Sequence, residues 1–570
     1  EPQVHCLSDG EYSLMITARG SGYSRWREVD LTCWRADATL DDHGSWIYIK
    51  DRETNQLWSA SFQPINSQPN NQTVKFHPHT VEFMRNDGDL STHTEIVIAP
   101  EKDVEIRRVT LTNHGASARD LELISYAEVI LSPQSSDQRH PAYNKLFIES
   151  EFIANENILL FRRRPRSAQE KPVYLAHLVV SNHERFGIIA YETDRDRFIG
   201  RGHTQRDPAA LKTKSSLSNS TATLDPVFAL QVRVIVPEYE SHQLAFVTIA
   251  ASSRKEALEL AQHYSQWHRI RKAFDDARTA TEQELTQSGL SSGQLEQIQK
   301  LLSALLYPNA AMRADPAAIA SNTLGQSGLW PFAISGDYPI LLVRVKDEGE
   351  FELLGELLRA HTYWRRRGLM IDLVVLNQSE SSYDQSFQGK IHRLLLRTNS
   401  DDWLGKRGGI FILNEDQMSE AEKILIETVS RVRLDGEAGG LANQLEKLDH
   451  PPVRLPRVVP ILPLLEENDS ATSLEKPSSL LFDNGLGGFA PDGSEYVIHL
   501  ERGEWTPAPW INVIANPDFG FLVSEAGMGC TWSGNSGENR LTPWRNDPVS
   551  DSPSEAVYLR DEDTGQVWSP

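Results

Sequence analysis

Between Tyr12 and about Ala250, apolar and polar residues alternate with a period of two, segment after segment. SWIYIKD, TVEFMRN, TEIVIAP, DLELISYAEVIL, VYLAHLVVS, FALQVRVIVP and HQLAFVTIA are rich in Val, Ile, Thr and aromatics, and are parted by Asn, Asp, Gly and Pro. That pattern predicts half-buried strands joined by turns. With no helical period between them, the strands predict one large antiparallel β-sandwich over residues 1–251. In VEIRRVTLTN the apolar positions Val104, Ile106 and Val109 fall out of step around Arg107 and Arg108, which predicts a bulge.

The period lengthens after Ser252–Ser253, which cap a helix with Glu256 three residues beyond Ser253. Ala257, Leu260, Tyr264, Trp267, Ile270, Phe274 and Ala277 then share one face, an apolar stripe that predicts packing against the sandwich. A second helix, LEQIQKLLSALLY, stops at Pro308, and residues 252–328 form a helical linker. Over residues 329–448 the short apolar runs PILLVRV, MIDLVVLN and GIFILN are each followed by a helical pattern, the last being SEAEKILIETVSRVRL. Strand–helix alternation of this kind predicts a small parallel α/β module. Residues 449–478 are Pro-rich and then polar, a linker, and strands resume over 479–570.

That last segment repeats the first. WRADATLDDHGSWIYIKDRETNQLWSA from Trp34 aligns without a gap on WRNDPVSDSPSEAVYLRDEDTGQVWSP from Trp544. Arg35/Arg545, Asp37/Asp547, Asp41/Asp551, Tyr48/Tyr558, Asp51/Asp561 and Trp58/Trp568 are identical pairs. Upstream, DGEYSLMITARGSGYS matches NPDFGFLVSEAGMGCT, with Gly20 and Gly22 falling on Gly527 and Gly529. A duplicated sandwich is predicted, with only the start of its second copy present. The fold class is therefore a β-rich multidomain chain: one large antiparallel sandwich, a helical linker, a small α/β module and the start of a second sandwich.

Composition narrows the partners. At 570 residues the chain is too long for one core, and 39% hydrophobic with 24% charged residues is ordinary for a globular protein. A net charge of −22 repels phosphate backbones and anionic lipid heads, which argues against nucleic acid and membrane surfaces, and no apolar run approaches the ~20 residues that direct membrane insertion by this segment would need. The basic run FRRRPR is read as a solvated or carboxylate-paired turn. Cys6, Cys33 and Cys530 are too few and too scattered for a disulfide framework or a metal site, which fits a reducing compartment. Glu1 is not an initiator Met and the chain stops inside the repeat, so it is expected to belong to a longer polypeptide.

No phosphate loop, dinucleotide fingerprint, HExxH, GxSxG or CxxC is present, so no catalytic residue, metal or cofactor is assigned. Asp41–Asp42 beside His43–Gly44 is read as a solvated turn, and Asp337 as an acid without a catalytic setting. The chemistry gathers in CTWSGNSGENRLTPWRNDPVSD, where Trp532, Asn535, Asn539, Arg540, Trp544, Arg545, Asn546 and Asp547 crowd together. Aromatics stack on the apolar faces of pyranose rings, while amides, carboxylates and guanidinium groups take hydroxyls. Trp532, Asn535, Asn539, Arg540, Trp544, Arg545 and Asp547 are thus candidate carbohydrate contacts, the alternative being a cluster that holds two sheets together.

The stretch from TPAPWINVIANPDFGF to the last residue resembles the amino-terminal β-domain of glycoside hydrolase family 94, formerly glycosyltransferase family 36, the cellobiose and chitobiose phosphorylase group. SYAEVILSPQSSDQRHPAYNKLFIESE, RRRPRS, GLWPFAISGDYPILLVRV and WRRRGLMIDLVVLN resemble the bacterial cyclic β-1,2-glucan synthases in particular. The resemblance implies a supersandwich like that of galactose mutarotase. It implies a β-glucan or oligosaccharide ligand, other domains of a parent polypeptide as partners, and a cytosolic place within a bacterial inner-membrane protein. It also implies that general-acid catalysis resides in an (α/α)6 barrel beyond Pro570, so Asp547 does not inherit the acid role. The parent would be a transferase or phosphorylase in which this segment binds glucan. The alternatives are part of a free-standing family 94 phosphorylase, or a non-catalytic glycan-binding scaffold.

Overall fold

A computed structural model describes all residues except 1, 101, 184–187, 213–216, 380–383, 450–473, 502 and 570. Most of the predicted linker 449–478 lies outside the described residues. The chain divides into two compact units, Glu1–Asp194 with Ser216–Pro451, and Arg195–Ser215 with Pro452–Pro570.

In the first unit, two large antiparallel sheets face each other. One runs Val4–Ser8, Tyr12–Thr17, Gly22–Trp26, Val29–Thr32, Arg119–Ser132, Pro226–Val236 and Ile188–Asp194, with Trp46–Asp51 also paired to Arg119–Ser132. The other runs Ile148–Ile153, Ile158–Arg163, Val173–Ser181, Ser241–Ala251, Val104–Asn113, Leu90–Ala99, Val81–Asp87 and Asn71–Phe76. Leu14, Ile49, Phe83, Leu123, Phe161, Leu230 and Phe246 pack between them.

The predicted bulge is absent: Val104–Asn113 keeps unbroken register with both neighbours. Its irregular pattern arises because both faces are covered. Val109 and Leu111 point into the sandwich, whereas Val104 and Ile106 pack under the helices. The arginines are accommodated within that geometry. Arg108 forks onto Glu95 at 2.7 and 2.8 Å and lies 3.9 Å over the Phe274 ring, while Arg107 donates to Glu105 at 2.6 Å.

The helical stripe does pack against this sheet, as two helices, Arg254–Tyr264 and Trp267–Ser288. Ser253 caps the first through the Glu256 N–H at 3.2 Å, and the Glu256 carboxylate reaches back to Ser252. The next helix, Ser292–Leu306, opens on a reciprocal capping box between Ser291 and Gln294. It wedges between sandwich and module. Leu295, Ile298, Leu302 and Leu305 share a core with Val4, Cys6, Met15, Tyr23 and Trp34 on one side and with Leu341, Val343, Leu354 and Trp364 on the other.

The module is a parallel sheet in the order Ile410–Asn414, Asp372–Asn377, Ile340–Val345, Val432–Asp435. Its fourth strand corrects the reading of SEAEKILIETVSRVRL as one helix. The helix is Glu420–Val429, and only Val432 and Leu434 alternate inward in the strand that follows, too few positions to declare a period of two.

The second unit contains the hairpin Gly487–Phe489 with Tyr496–Ile498 and a three-stranded sheet, Ile511–Ala515, Phe519–Ser524, Gly529–Ser533. The repeat is present here in register as well as in sequence. Val4 pairs with Thr17 as Ile511 pairs with Ser524, and the Asp51 N–H bonds Gln56 O at 3.0 Å as the Asp561 N–H bonds Gln566 O at 2.9 Å.

Asp30, in the strand Val29–Thr32, is buried with one carboxylate oxygen lacking a hydrogen-bond partner. Burial lifts its pKa to about 7, against the pull of the Arg25 guanidinium. An unfolded aspartate ionises near ~3.9, so the folded chain keeps a proton that the unfolded chain has already released. Asp30's own contribution to stability should therefore be lost as pH rises from about 4 to about 7. Relative to Asp30→Asn, denaturant melts should show a loss on the order of a few kcal/mol across that window. A difference that is the same at every pH would contradict this.

Candidate functional site

Each copy of the repeat contains a turn tied down by a buried carboxylate. In the first, Asp41 has φ 49°, donates its N–H to Asp37 O at 3.0 Å and accepts the Thr17 hydroxyl at 2.9 Å. The Tyr307 hydroxyl donates to its other oxygen at 3.3 Å. Asp41 is only 2% exposed, so the expectation of a solvated turn is wrong: the acid is folded inward over a hydroxyl. Burial accordingly raises its pKa, with the hydroxyls of Ser21, Thr17 and Tyr307 opposing.

In the second copy, Asp551 has φ 44°, donates its N–H to Asp547 O at 3.1 Å and accepts the Ser524 hydroxyl at 2.9 Å. Its third partner differs. Arg201 Nη2 lies 3.0 Å from Asp551 Oδ2 and 3.0 Å from Glu525 Oε1. Glu525 also accepts the Thr506 hydroxyl and the Trp510 N–H. Arg195 forks onto Asp547 at 2.7 and 2.8 Å, and the same carboxylate caps the N–H groups of Val549 and Ser550. The Gly202 N–H donates to Val549 O at 3.0 Å. Thus Arg195–Ser215, which interrupts the first sandwich in sequence, is an integral strap of the second unit.

This strap was not recognised from the sequence. Its one signal is RDRFIGRGHTQR, a cluster of guanidinium groups with two glycines in an otherwise acidic chain.

The candidate sugar contacts fall into two groups. Trp532 and Trp544 flank Leu522, Met528 and Cys530, and Arg540 sits 5.7 Å over the Trp544 ring. Asn535 Oδ1 accepts the N–H groups of Gly537 and Glu538 at 2.8 and 2.9 Å, and Asn539 Nδ2 donates to Ser533 O at 3.0 Å. Both shape the turn that joins these tryptophans. Asp547 stands apart from them in the ion pair with Arg195. Asn535, Asn539, Arg540 and Arg545 are exposed, while Trp532, Trp544 and Asp547 are half-buried.

Elsewhere, the basic run is carboxylate-paired: Arg163 with Glu170 at 3.0 Å and Arg164 with Glu149 at 3.4 Å. Asp337 pairs with exposed Arg407 at 2.7 Å. Among the described residues no cluster of His, Cys, Asp and Glu could hold a metal ion, and no helix is long and apolar enough to cross a membrane.

Truncating Arg201 would leave two carboxylates, whose side chains are 4% and 1% exposed, without the cation they share. Arg201→Ala should cost the second unit about 3–5 kcal/mol. Hydrogen exchange should accelerate in Phe519–Ser524 and Gly529–Ser533 while Val104–Asn113 stays protected. Unchanged exchange in the second unit would refute the strap.

The family model of the glycosyl hydrolase 94 supersandwich domain matches residues 1–267 and 494–570, the two blocks that contain the repeat. Over 575 aligned residues the chain is 36% identical to cyclic beta-(1,2)-glucan synthase NdvB of Rhizobium meliloti (strain 1021), covering 99% of this chain and 20% of that protein. It is 23% identical to N,N'-diacetylchitobiose phosphorylase of Vibrio proteolyticus, over 48% of this chain and 34% of the enzyme. Among solved structures, a bacterial glucoamylase complexed with acarbose matches at 10% identity and TM-score 0.34, over 52% of this chain and 39% of that one. The chain spans about a fifth of the glucan synthase and about a third of the phosphorylase. With two matched blocks on two copies of one sandwich motif, and identity running nearly end to end, the chain belongs to glycosyl hydrolase family 94.

Proposed function

We propose that this glycan-processing, family 94 region acts within a cyclic β-1,2-glucan synthase, where it binds and positions the glucan while other domains carry out glycosyl transfer. The observation that carries the reading is the reach of the likeness. Identity to the glucan synthase covers 99% of the chain, including the helices and α/β module between the matched sandwich blocks, whereas the phosphorylase covers 48%. The parent polypeptide would place this region on the cytosolic side of the inner membrane.

Within the region, the 530–551 loop is the proposed contact surface. Its half-buried tryptophans offer apolar ring edges, and exposed Asn535, Asn539, Arg540 and Arg545 offer amides and guanidinium groups at the rim. Carbohydrates need that mixture, because a pyranose has an apolar C–H face and an equatorial belt of hydroxyls. Asp547, held by Arg195, would fix the rim and not donate a proton.

Calorimetric titration with β-1,2-linked gluco-oligosaccharides tests this. Arg545→Ala should weaken binding by about 1–3 kcal/mol, the value of a hydrogen bond from a charged group, with melting temperature nearly unchanged. Unaltered affinity with a large fall in melting temperature would instead make the loop a purely structural cluster.

A further inference from the structure

We infer that Trp505, outside the 530–551 loop, is a preorganised aromatic platform for one pyranose ring of the glucan, an inference that rests on the glycan-binding reading above. Trp505 is 43% exposed. Exposure alone would mean little, since Phe482, at 88%, is more exposed still. What sets Trp505 apart is its support.

That support is built from three contacts within the second unit. Gly202 lies against the benzo ring so closely that a Cβ there would fall 2.3 Å from the indole, and its φ of +75° also favours glycine. The Arg201 guanidinium carbon lies 5.4 Å from the ring centroid and is itself fixed by Glu525 and Asp551. The backbone on the C-terminal side of Trp505 is pinned to the same Glu525, through the Thr506 hydroxyl and the Trp510 N–H. An indole with this backing loses little freedom when a ligand stacks on it, which is how a rigid aromatic contributes affinity.

The ligand chemistry follows from the surface that remains. The part of the indole left exposed beside Arg201 and Gly202 suits the C–H face of a pyranose, and exposed Arg545 and Asn546 carry polar groups for its hydroxyls. Gly202 N–H to Val549 O ties the platform directly to the turn that follows Arg545 and Asp547. Strap, platform and turn are thus linked through Gly202, and a glucan crossing them would stack at Trp505 while its hydroxyls meet the 545–550 turn.

The test is calorimetric titration of the full chain with β-1,2-linked gluco-oligosaccharides, comparing wild type with Trp505→Phe, Trp505→Leu and Phe482→Ala, with melting temperatures measured alongside. Stacking predicts that Trp505→Leu, which keeps apolar bulk without a π face, weakens binding tenfold or more. Trp505→Phe should lose only a few-fold, and Phe482→Ala should bind as wild type. Wild-type binding that survives both Trp505 substitutions undiminished would overturn the platform and leave the glycan-binding reading standing. No binding by the wild type would overturn both. Equal losses in Phe and Leu variants, scaling with a fall in melting temperature, would overturn it by assigning Trp505 to packing.

Discussion

A hydroxyl pointing at a buried aspartate fixes the geometry of both copies of the duplicated sandwich. Thr17 to Asp41 and Ser524 to Asp551 are the same contact at the same 2.9 Å, each on a turn with positive φ. A carboxylate taken out of water must find further partners, since an isolated buried charge costs several kcal/mol. The two copies meet that demand differently. The first uses the Tyr307 hydroxyl, which follows the helix Ser292–Leu306 and so draws helix and α/β module onto the sandwich. The second uses Arg201 from a strap that leaves the first sandwich after Asp194. One inherited motif has become a packing anchor in one copy and an ion-paired support in the other.

The strap stiffens one part of the second unit. Arg195 and Arg201 between them engage Asp547, Asp551 and Glu525, so the turn at 545–550 and the backbone beside Trp505 are held from the same segment. Such buried pairs add little net stability over apolar packing, but they fix position and register. Positioning is what the proposed glycan-holding surface would require, because sugar contacts are individually weak and depend on several groups being in place together.

Much of this was legible in the sequence. Strand alternation specified the sandwich, and identical residues at fixed spacing revealed the repeat, because register within a sheet has a strict period of two. The failures share a cause: each turned on what covers a residue from elsewhere in the chain. Val104–Asn113 looked bulged because helices cover the face that an ordinary sandwich leaves to solvent. Asp41 looked solvated because its partner Tyr307 is 266 positions away. The strap went unread because its acidic partners lie more than 300 residues downstream. The candidate loop was visible as a composition. That Asn535 and Asn539 serve the turn backbone, and that Trp505 packs against Gly202 of the strap, depends on hydrogen bonds and on a glycine that no local pattern encodes.

On the proposed reading, glucan lies on the surface formed by the strap, the backbone around Trp505 and the 530–551 loop. Hydrogen exchange of the full chain, with and without saturating β-1,2-linked gluco-oligosaccharide, tests it directly. Added protection is expected at residues 195–207, 503–510 and 530–551, and none in the parallel sheet between 340 and 435. Protection confined to the first sandwich or to the α/β module would contradict it.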